Sequence, residues 1–229
     1  MLAPLFHATD PCLTSKGAQR VDNLTIIAAQ LFLERGFDGV AVDDLISRAG
    51  GSRRNVYKHF GGKEGLFRAA MMYICSEMAK PLGQINILGL DAERILTAFG
   101  HELVRIALSP RTLAVHRVLT SEGKRFPEIA QAMLTSSYLK VVEILAAWIT
   151  TQQTPEQPVF CEELPAEVLA VQFISLVSSD LKLRAIVGLV PTDLSGNKVD
   201  ELVGSAVKTF LNGTLVKRTD RSTPSRRQS

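Results

Sequence analysis

The stretch that decides the fold is residues 50–67, GGSRRNVYKHFGGKEGLF, in which a short polar segment lies between two glycine pairs. Ser52 is a favourable N-cap and the second glycine pair is a typical helix end, so the stretch predicts a helix of about two turns. A helix this short is marginal in water, because isolated helices need about 12–15 residues. It must therefore dock on a neighbouring element, and Val56 and Phe60, spaced i, i+4, are the apolar side chains suited to this.

The chain before this stretch supplies two further helices. Residues 16–35 carry apolar side chains at the i, i+3, i+4, i+7 spacing of an amphipathic helix, which ends at Gly36. Residues 42–49 predict a second, short helix that stops at the first glycine pair. A short helix, a glycine-rich turn and another short helix follow the order of a helix-turn-helix motif. We expect the third helix to dock on the first through Leu31 and Phe32.

The polar face of the third helix predicts contact with DNA. In DNA-binding helix-turn-helix motifs the second helix of the pair lies in the major groove, with its N-terminal residues at the base edges. We predict that Arg53, Arg54 and Asn55 read bases, because arginine pairs with guanine O6 and N7 and asparagine with adenine N6 and N7. Phosphate contacts fix the register without reading sequence. The residues predicted to make them are Ser52, Tyr57, Lys58, His59 and Lys63.

Charge is distributed unevenly along a chain whose net charge is only +3. Residues 16–80 contain ten Lys and Arg against seven Asp and Glu, residues 81–216 contain eleven against fourteen, and residues 217–229 contain five against one. A basic first segment ahead of an acidic body indicates a polyanionic partner. The partner that we predict is a double-stranded DNA operator.

The remaining chain has helical periodicity, without a convincing stretch of alternating polar and apolar residues. The predicted fold is all-α with about nine helices. A three-helix head over residues 16–62 precedes a ligand-binding and dimerisation body over residues 63–216. Residues 1–15 and the basic tail, residues 217–229, predict disorder. The body helices are predicted over residues 63–80, 91–108, 111–122, 127–152, 165–188 and 198–216.

The segment from Ala28 to Phe67, AAQLFLERGFDGVAVDDLISRAGGSRRNVYKHFGGKEGLF, resembles the N-terminal domain of TetR-type transcriptional regulators. Three features carry the resemblance: the run AAxxLFxExGF, an aliphatic second helix ending in RAG, and the ending VYKHFGGKEGLF. The resemblance implies a homodimer in which each subunit places its third helix in a major groove of a palindromic operator. It also implies phosphate contacts from Tyr57 and Lys63.

Two residues depart from the family's pattern. Ala41 stands where the family usually has Ser or Thr, whose hydroxyl caps the second helix and touches a phosphate. Gly51 stands where a small aliphatic residue is common, and we expect it to loosen the turn slightly, because glycine has more backbone freedom to lose. In the body, residues 116–133 and 203–215 resemble AefR-like members, which implies a ligand-sensing and dimerising helical bundle.

Aromatic, aliphatic and polar residues at helical spacing in the body predict core packing by default, and a ligand cavity is the alternative. Sites between bundled helices are mostly apolar with a few polar groups, so an amphipathic or aromatic small-molecule effector would suit this wall. The predicted lining is Phe99, Leu103, His116, Met133, Ser137, Val141, Trp148, Phe173 and Val177.

The apolar faces of the last two helices predict the dimer interface. Two helices from each subunit would form an isologous four-helix bundle. The predicted interface residues are Leu169, Phe173, Leu176, Val199, Leu202, Val203, Ala206, Val207 and Phe210.

Sequence patterns typical of enzymes are weak in this chain. Ser121-Glu-Gly-Lys124 and Ser179-Asp-Leu-Lys182 match S-x-x-K, but neither a K-T-G nor an S-D-N partner accompanies them. The four histidines lack metal-ligand spacing, and the three scattered cysteines predict reduced thiols. We therefore predict no catalytic site, no metal and no cofactor. A helical small-molecule-binding protein or enzyme without DNA function is the alternative from another class.

The N-terminus lacks the basic and apolar regions of a signal peptide, and no run reaches the roughly 18 apolar residues of a membrane span. We therefore predict a cytoplasmic protein with no membrane partner. The function predicted from all these features is a sequence-specific DNA-binding transcriptional regulator, a repressor released from its operator by a small effector. A ligand-dependent activator on the same fold is the alternative.

Overall fold

The computed structural model describes residues 15–85, 91–153, 159–160, 163–191 and 194–212. Regular secondary structure in these ranges is entirely helical and comprises nine α-helices, which confirms the predicted fold class. They are α1 (Ser15–Arg35), α2 (Val42–Ala49), α3 (Arg53–Phe60), α4 (Lys63–Ala79), α5 (Ala92–Ala107), α6 (Pro110–Glu122), α7 (Pro127–Gln152), α8 (Ala166–Ile186) and α9 (Gly196–Asn212). The segments predicted to be disordered are residues 1–15 and 217–229, and all of them except Ser15, which begins α1, lie outside the described residues.

The helix bounds follow local start and stop signals. Helix α2 covers the predicted residues, and α6 begins at Pro110 after Ser109, whose hydroxyl accepts a hydrogen bond from the backbone N–H of Thr112 at 3.2 Å. Helix α8 ends two residues earlier than predicted, at Ile186. Helix α9 begins two residues earlier than predicted, and its predicted end at residue 216 lies outside the described residues.

A π-helical turn, Thr135–Leu139, interrupts α7 and was not predicted. The hydroxyls of Thr135, Ser136 and Ser137 each donate to the carbonyl four residues earlier, at 3.0, 2.9 and 2.7 Å. Such back-bonding competes with the backbone hydrogen bonds of the helix. Three successive hydroxyls therefore account for the wider turn at this point of α7.

Helix α3 packs into the core of the head, as expected for a helix that is too short to be stable on its own. Val56 is fully buried in one cluster with Leu31, Phe32 and Leu45 from α1 and α2. Helix α3 packs mainly on α4, however, and much less on α1. The glycine pair after α3 turns the chain so that α4 covers it, which explains how a helix of eight residues stays folded.

The core of the head continues into the body. Phe37, in the loop between α1 and α2, lies with its ring centroid 5.2 Å from Phe67 of α4 and 4.7 Å from Phe126, which precedes α7. Phe32 of α1 joins the same cluster, with its ring centroid 4.9 Å from that of Phe67. The predicted division between residues 62 and 63 therefore separates chain segments that share one apolar core.

A second apolar core lies between α5, α7, α8 and α9. Gly100 allows α5 to approach α9 closely, because a Cβ atom at this position would lie 2.8 Å from Cγ1 of Val203. Helix α7 is long and apolar enough by composition to cross a membrane. Its side chains Val142, Leu145 and Ile149 are buried in the body, and core helices of folded domains also meet that composition test.

Burial within the single chain divides the predicted dimer-interface residues into two groups. Five side chains are at most 7% exposed and form part of the core of the body: Leu169, Phe173, Val203, Ala206 and Val207. They offer little surface to a second copy, and the interface stays a prediction. Val199, Leu202 and Phe210 are half-buried against the same core, whereas Leu176 is 48% exposed.

Candidate nucleic-acid interface

Helix α3 is defined by caps at both ends. The Ser52 hydroxyl accepts a hydrogen bond from the backbone N–H of Asn55 at 3.3 Å, which confirms the predicted N-cap. At the other end Gly61 has φ 73° and its N–H donates to the carbonyl of Tyr57. Gly51, before the helix, has φ 114°, a conformation that L side chains rarely adopt. Glycine at position 51 is therefore required by the turn observed here.

The polar side chains of α3 form three rows at i, i+4 spacing. Arg54 and Lys58 form the middle row, are exposed, and lie on the face opposite the buried Val56. Arg53 and Tyr57 flank this row on the side of α2. The middle row is the part of α3 best presented to a groove, because it points away from the core of the head.

The third row, Asn55 and His59, faces α1. Both residues are half-buried and line a cleft of about 100 Å³ together with Arg20 of α1. Their roles as base reader and phosphate ligand remain predictions. Arg20, which the sequence argument did not single out, adds a positive charge at the edge of the same surface.

The partner of Arg53 was not predicted from the sequence. Its guanidinium donates from Nε to Oδ1 of Asp43 at 2.7 Å and from Nη2 to Oδ2 of the same carboxylate. This pairing lowers the pKa of Asp43 and raises that of Arg53. Asp43 lies in the first turn of α2, ten residues before Arg53. Opposite charges in the first turns of both short helices are the sequence signal that could have revealed it.

Lys63, a predicted phosphate ligand, begins α4 at the junction of head and body. Its ammonium lies 4.4 Å from the centre of the Phe37 ring, where the aromatic face attracts a cation. A phosphate contact from Nζ requires this side chain to leave Phe37. The N–H groups of the first turn of α4 are alternative donors, because helix N-termini bind anions.

The departure at Ala41 has the structural consequence expected from the sequence. Ala41 is the N-cap residue of α2, with φ −89° and ψ 146°, and it makes no side-chain capping hydrogen bond. The backbone has the extended conformation that a capping Ser or Thr adopts. Helix α2 therefore has the backbone geometry for a capping hydroxyl, but the residue at its N-cap does not carry one.

Sequence profiles of known families match both the DNA-binding head and the body of the chain. The profile described as the C-terminal domain of AefR-like transcriptional repressors matches residues 94–213, which is more than half of the chain. The profile for bacterial regulatory proteins of the tetR family matches residues 27–70, which include α2 and α3. The chain belongs to the TetR family of transcriptional regulators. Members of this family act by binding DNA as dimers and respond to small molecules, and they are not enzymes.

Solved structures give the same result for the fold. A protein assigned to the TetR family from Mesorhizobium loti has 17% identity and a TM-score of 0.72, covering 86% of this chain and 98% of its own. The flavonoid-responsive regulator FrrA has 26% identity and a TM-score of 0.72, covering 85% and 96%. A TetR-family regulator from Pseudomonas syringae pv. tomato has 24% identity and a TM-score of 0.62, covering 87% and 97%. Among curated proteins, none matches the chain significantly by sequence.

The body of this TetR-family protein contains an apolar cavity of about 110 Å³ between α5, α7 and the turn that follows α4. Two of the predicted pocket residues, Phe99 and Trp148, line it. The sequence argument missed the rest of its wall, which is Leu82, Gly83, Ile85, Ile95, Ile144 and Leu145. None of the described residues that line the cavity is charged.

The other predicted pocket residues do not line this cavity. Leu103, Phe173 and Val177 are buried in the core of the body, as the default interpretation of core packing expects, and a role for them in a ligand site stays a prediction. Met133 borders a gap of only about 10 Å³ beside the head, which is no larger than one water. His116, Ser137 and Val141 are half-buried elsewhere in the bundle.

Two titratable groups inside the bundle are shifted towards their neutral forms. Burial, together with the charge of Lys182, lowers the pKa of His116 to about 4. Burial raises the pKa of the Cys75 thiol to about 11, although a hydrogen bond with Ser137 opposes the shift. At neutral pH both groups are therefore uncharged, and the Cys75 thiol is a poor nucleophile.

A wider, more open cleft of about 280 Å³ lies where α5, the start of α6 and α9 meet. His101 and Arg105 border it, and His101 lies with Nε2 3.5 Å from Oδ1 of Asp200. None of the predicted pocket residues lines this cleft.

Proposed function

We propose that this TetR-family protein is a sequence-specific transcriptional regulator in the cytoplasm, a repressor that leaves a palindromic operator when a small apolar or aromatic effector binds its body. The observation that carries the proposal is the exposed basic face of α3, with Arg54 and Lys58 in its middle and Arg53 beside them. A surface of this kind, on the second helix of a helix-turn-helix, suits the major groove.

The dimer that such an operator requires would form through the outer faces of α8 and α9. Four apolar side chains on α8 remain on the surface of the single chain: Val168, Val171, Leu176 and Leu183. On α9, Gly204 and Ser205 are exposed, and a Cβ atom on Gly204 would have no neighbour within 4 Å. An apolar surface beside small residues allows two helix pairs to approach closely, as a four-helix interface needs.

Sedimentation of Gly204 variants tests this interface. Gly204→Leu should fold normally, because a Cβ atom at this position has no neighbour within 4 Å among the described residues, but should shift the protein from dimer to monomer at micromolar concentration. Gly204→Ala is the matched control, since it alters helix propensity in the same direction with little added volume. If Gly204→Leu sediments as a dimer like the wild type, the proposed interface is wrong.

The effector would occupy the apolar cavity beside Trp148. Its volume of about 110 Å³ is close to that of an engineered apolar cavity of about 150 Å³ that binds benzene. An effector of two or more rings would need α5 and α7 to move apart, which gives it unequal affinity for two arrangements of the body. The similar protein FrrA is named as flavonoid-responsive, which supports an aromatic effector of this kind.

Trp148 also gives the effector hypothesis a direct test. It is the chain's one tryptophan, and it lines the cavity, so a bound aromatic compound should change its fluorescence. Gly83→Phe should fill the cavity and abolish the fluorescence change, whereas the exposed residue Leu189, remote in sequence, offers the control Leu189→Phe. Binding that is unchanged in Gly83→Phe would exclude this cavity as the effector site.

DNA binding itself is tested by titrating purified protein with the duplex that flanks its own gene, in the presence of competitor DNA and increasing salt. We expect a discrete complex that resists competitor. If six to eight phosphates are neutralised per dimer, the slope of log K against log salt should be about −5 to −7. Binding that remains diffuse on this duplex and on duplexes selected from a random pool would contradict the proposal. Reporter expression with and without effector then distinguishes a repressor from an activator.

A further inference from the structure

The carboxylate of Asp43 holds one edge of the Arg53 guanidinium. Nε donates to Oδ1 at 2.7 Å, and Nη2 donates one of its hydrogens to Oδ2. Both side chains are nevertheless largely exposed, with 70% of the Arg53 side chain and 61% of the Asp43 side chain accessible. The pair therefore lies on the surface of the head, between the first turn of α2 and the first turn of α3.

A guanidinium carries five N–H donors in a rigid plane. Asp43 uses the Nε hydrogen and one Nη2 hydrogen, which form one edge. The adjacent edge, made by Nη1 and the second Nη2 hydrogen, keeps two parallel donors. Guanine presents O6 and N7 as two parallel acceptors in the major groove, and this is the base edge that such a fork fits.

An arginine side chain that no other protein group holds in place can contact other parts of the DNA. It can rotate to a phosphate, which carries no sequence information, or to a single acceptor on another base. Holding the guanidinium by its Nε–Nη2 edge restricts these alternatives, because a phosphate contact on that edge would have to displace the carboxylate of Asp43.

We propose that Asp43 is a specificity-determining residue of the DNA-binding head, which fixes Arg53 with its Nη1–Nη2 edge directed at a guanine. Asp43 acts through Arg53 and is a positioning residue. The inference rests on the proposed function as a DNA-binding regulator and names the base that one of its side chains reads. A good bidentate contact discriminates against a wrong base roughly 5- to 150-fold.

The test begins with duplexes selected from a random pool by the full-length wild type and by Arg53→Ala. The base pair read by Arg53 is the one at which the wild type has a preference that Arg53→Ala lacks. Dissociation constants are then measured for wild type, Asp43→Asn, Arg53→Ala and the double variant on four duplexes that differ only at this base pair. Circular dichroism melting of each variant separates loss of contacts from loss of folding.

Asp44→Asn is the matched control. It removes the same charge from the neighbouring position of the same helix, but Asp44 pairs with Arg35 of α1, with Nη1 3.4 Å from Oδ2. We expect Asp43→Asn to reduce the preference for guanine at least 5-fold while binding to unrelated duplexes stays equal or becomes tighter. Asp44→Asn should keep the preference, and the double variant should behave like Arg53→Ala.

Four outcomes would overturn the inference. Undiminished guanine preference in Asp43→Asn would mean that Arg53 needs no support. Equal effects of Asp43→Asn and Asp44→Asn would mean that only net charge matters. If the wild type and Arg53→Ala select the same duplexes, Arg53 reads no base, and the role of Asp43 is overturned while the proposed function stands. A wild type that selects no duplex at all would overturn both.

Discussion

Gly100 and Val203 give a quantitative test of how α5 and α9 pack. A Cβ atom on Gly100 would lie 2.8 Å from Cγ1 of Val203 and 3.7 Å from Cζ of Phe173, and both neighbours are fully buried. The methyl of Gly100→Ala therefore has no free space. Overpacking of this kind typically destabilises a core by about 1–3 kcal/mol. Alanine is favoured over glycine by about 1 kcal/mol in helix propensity, so the free energy of unfolding should fall by about 1 kcal/mol in total.

The compensating variant makes this prediction sharper. Val203→Ala alone removes two buried methyl-sized groups and should lower the free energy of unfolding by about 2 kcal/mol. In the double variant the alanine at position 100 occupies part of the space that Val203 leaves, so the two losses should not add. We expect the double variant to be at least about 1 kcal/mol more stable than additivity predicts.

Urea unfolding of the wild type, the two single variants and the double variant measures this coupling. The measurements should be made at several protein concentrations, because a dimer is stabilised by mass action. Losses that add within about 0.5 kcal/mol would refute the contact between Gly100 and Val203. A single variant Gly100→Ala that is more stable than the wild type would show that α5 and α9 are farther apart than the structure has them.

Three further predictions concern the caps of the head and one histidine of the body. Ala41→Ser should raise the free energy of unfolding by about 1 kcal/mol in thermal or urea melts, because the N-cap position of α2 has suitable geometry but no capping hydroxyl. Ser52→Ala should lower it by about 0.5–2 kcal/mol and weaken operator binding, because the cap of α3 is lost. The pKa of His116, about 4, lies below the value of 6.5 that it has when unfolded, so protonation favours unfolding. As the pH falls from about 6.5 towards 4, the free energy of unfolding of the wild type should therefore decrease by about 1–2 kcal/mol, a range that allows for the partial exposure of His116. In acid titrations of stability, His116→Leu should lack this part of the decrease.

Local signals were sufficient to predict the head from sequence. The Ser52 cap and the glycine pair at residues 61 and 62 fixed the bounds of α3, because caps and positive φ angles depend on a few neighbouring residues. The pair between Asp43 and Arg53 could not be predicted in the same way. It depends on how two short helices cross, and the sequence spacing of ten residues does not determine that crossing.

The dimer interface was only partly predictable, because α8 carries apolar residues on more than one face. Leu169 and Phe173 are buried in the body, while Leu176 and Leu183 are on the surface. The helical periodicity shows that both faces of α8 are apolar. It does not show which face packs against the rest of the chain and which stays exposed. Most of the wall of the cavity near Trp148 was missed for a related reason, since the cavity is a packing gap where α5 and the turn before it meet α7, which lies far along the chain from both.

The link between head and body has a consequence for how an effector could act on DNA binding. Phe37 is in contact with two cations: the ammonium of Lys63 lies 4.4 Å from the ring centre, and the guanidinium carbon of Arg125 lies 5.0 Å from it. Arg125 also donates to both carboxylate oxygens of Asp38, at 2.9 and 2.8 Å. The loop between α1 and α2 is thus tied to the segment between α6 and α7 by an ion pair and a shared aromatic core. A movement of that segment in the body would shift the start of α2 directly, in addition to any tilt transmitted along α4. Because α2 carries Asp43, the same movement would alter the support of Arg53 on α3.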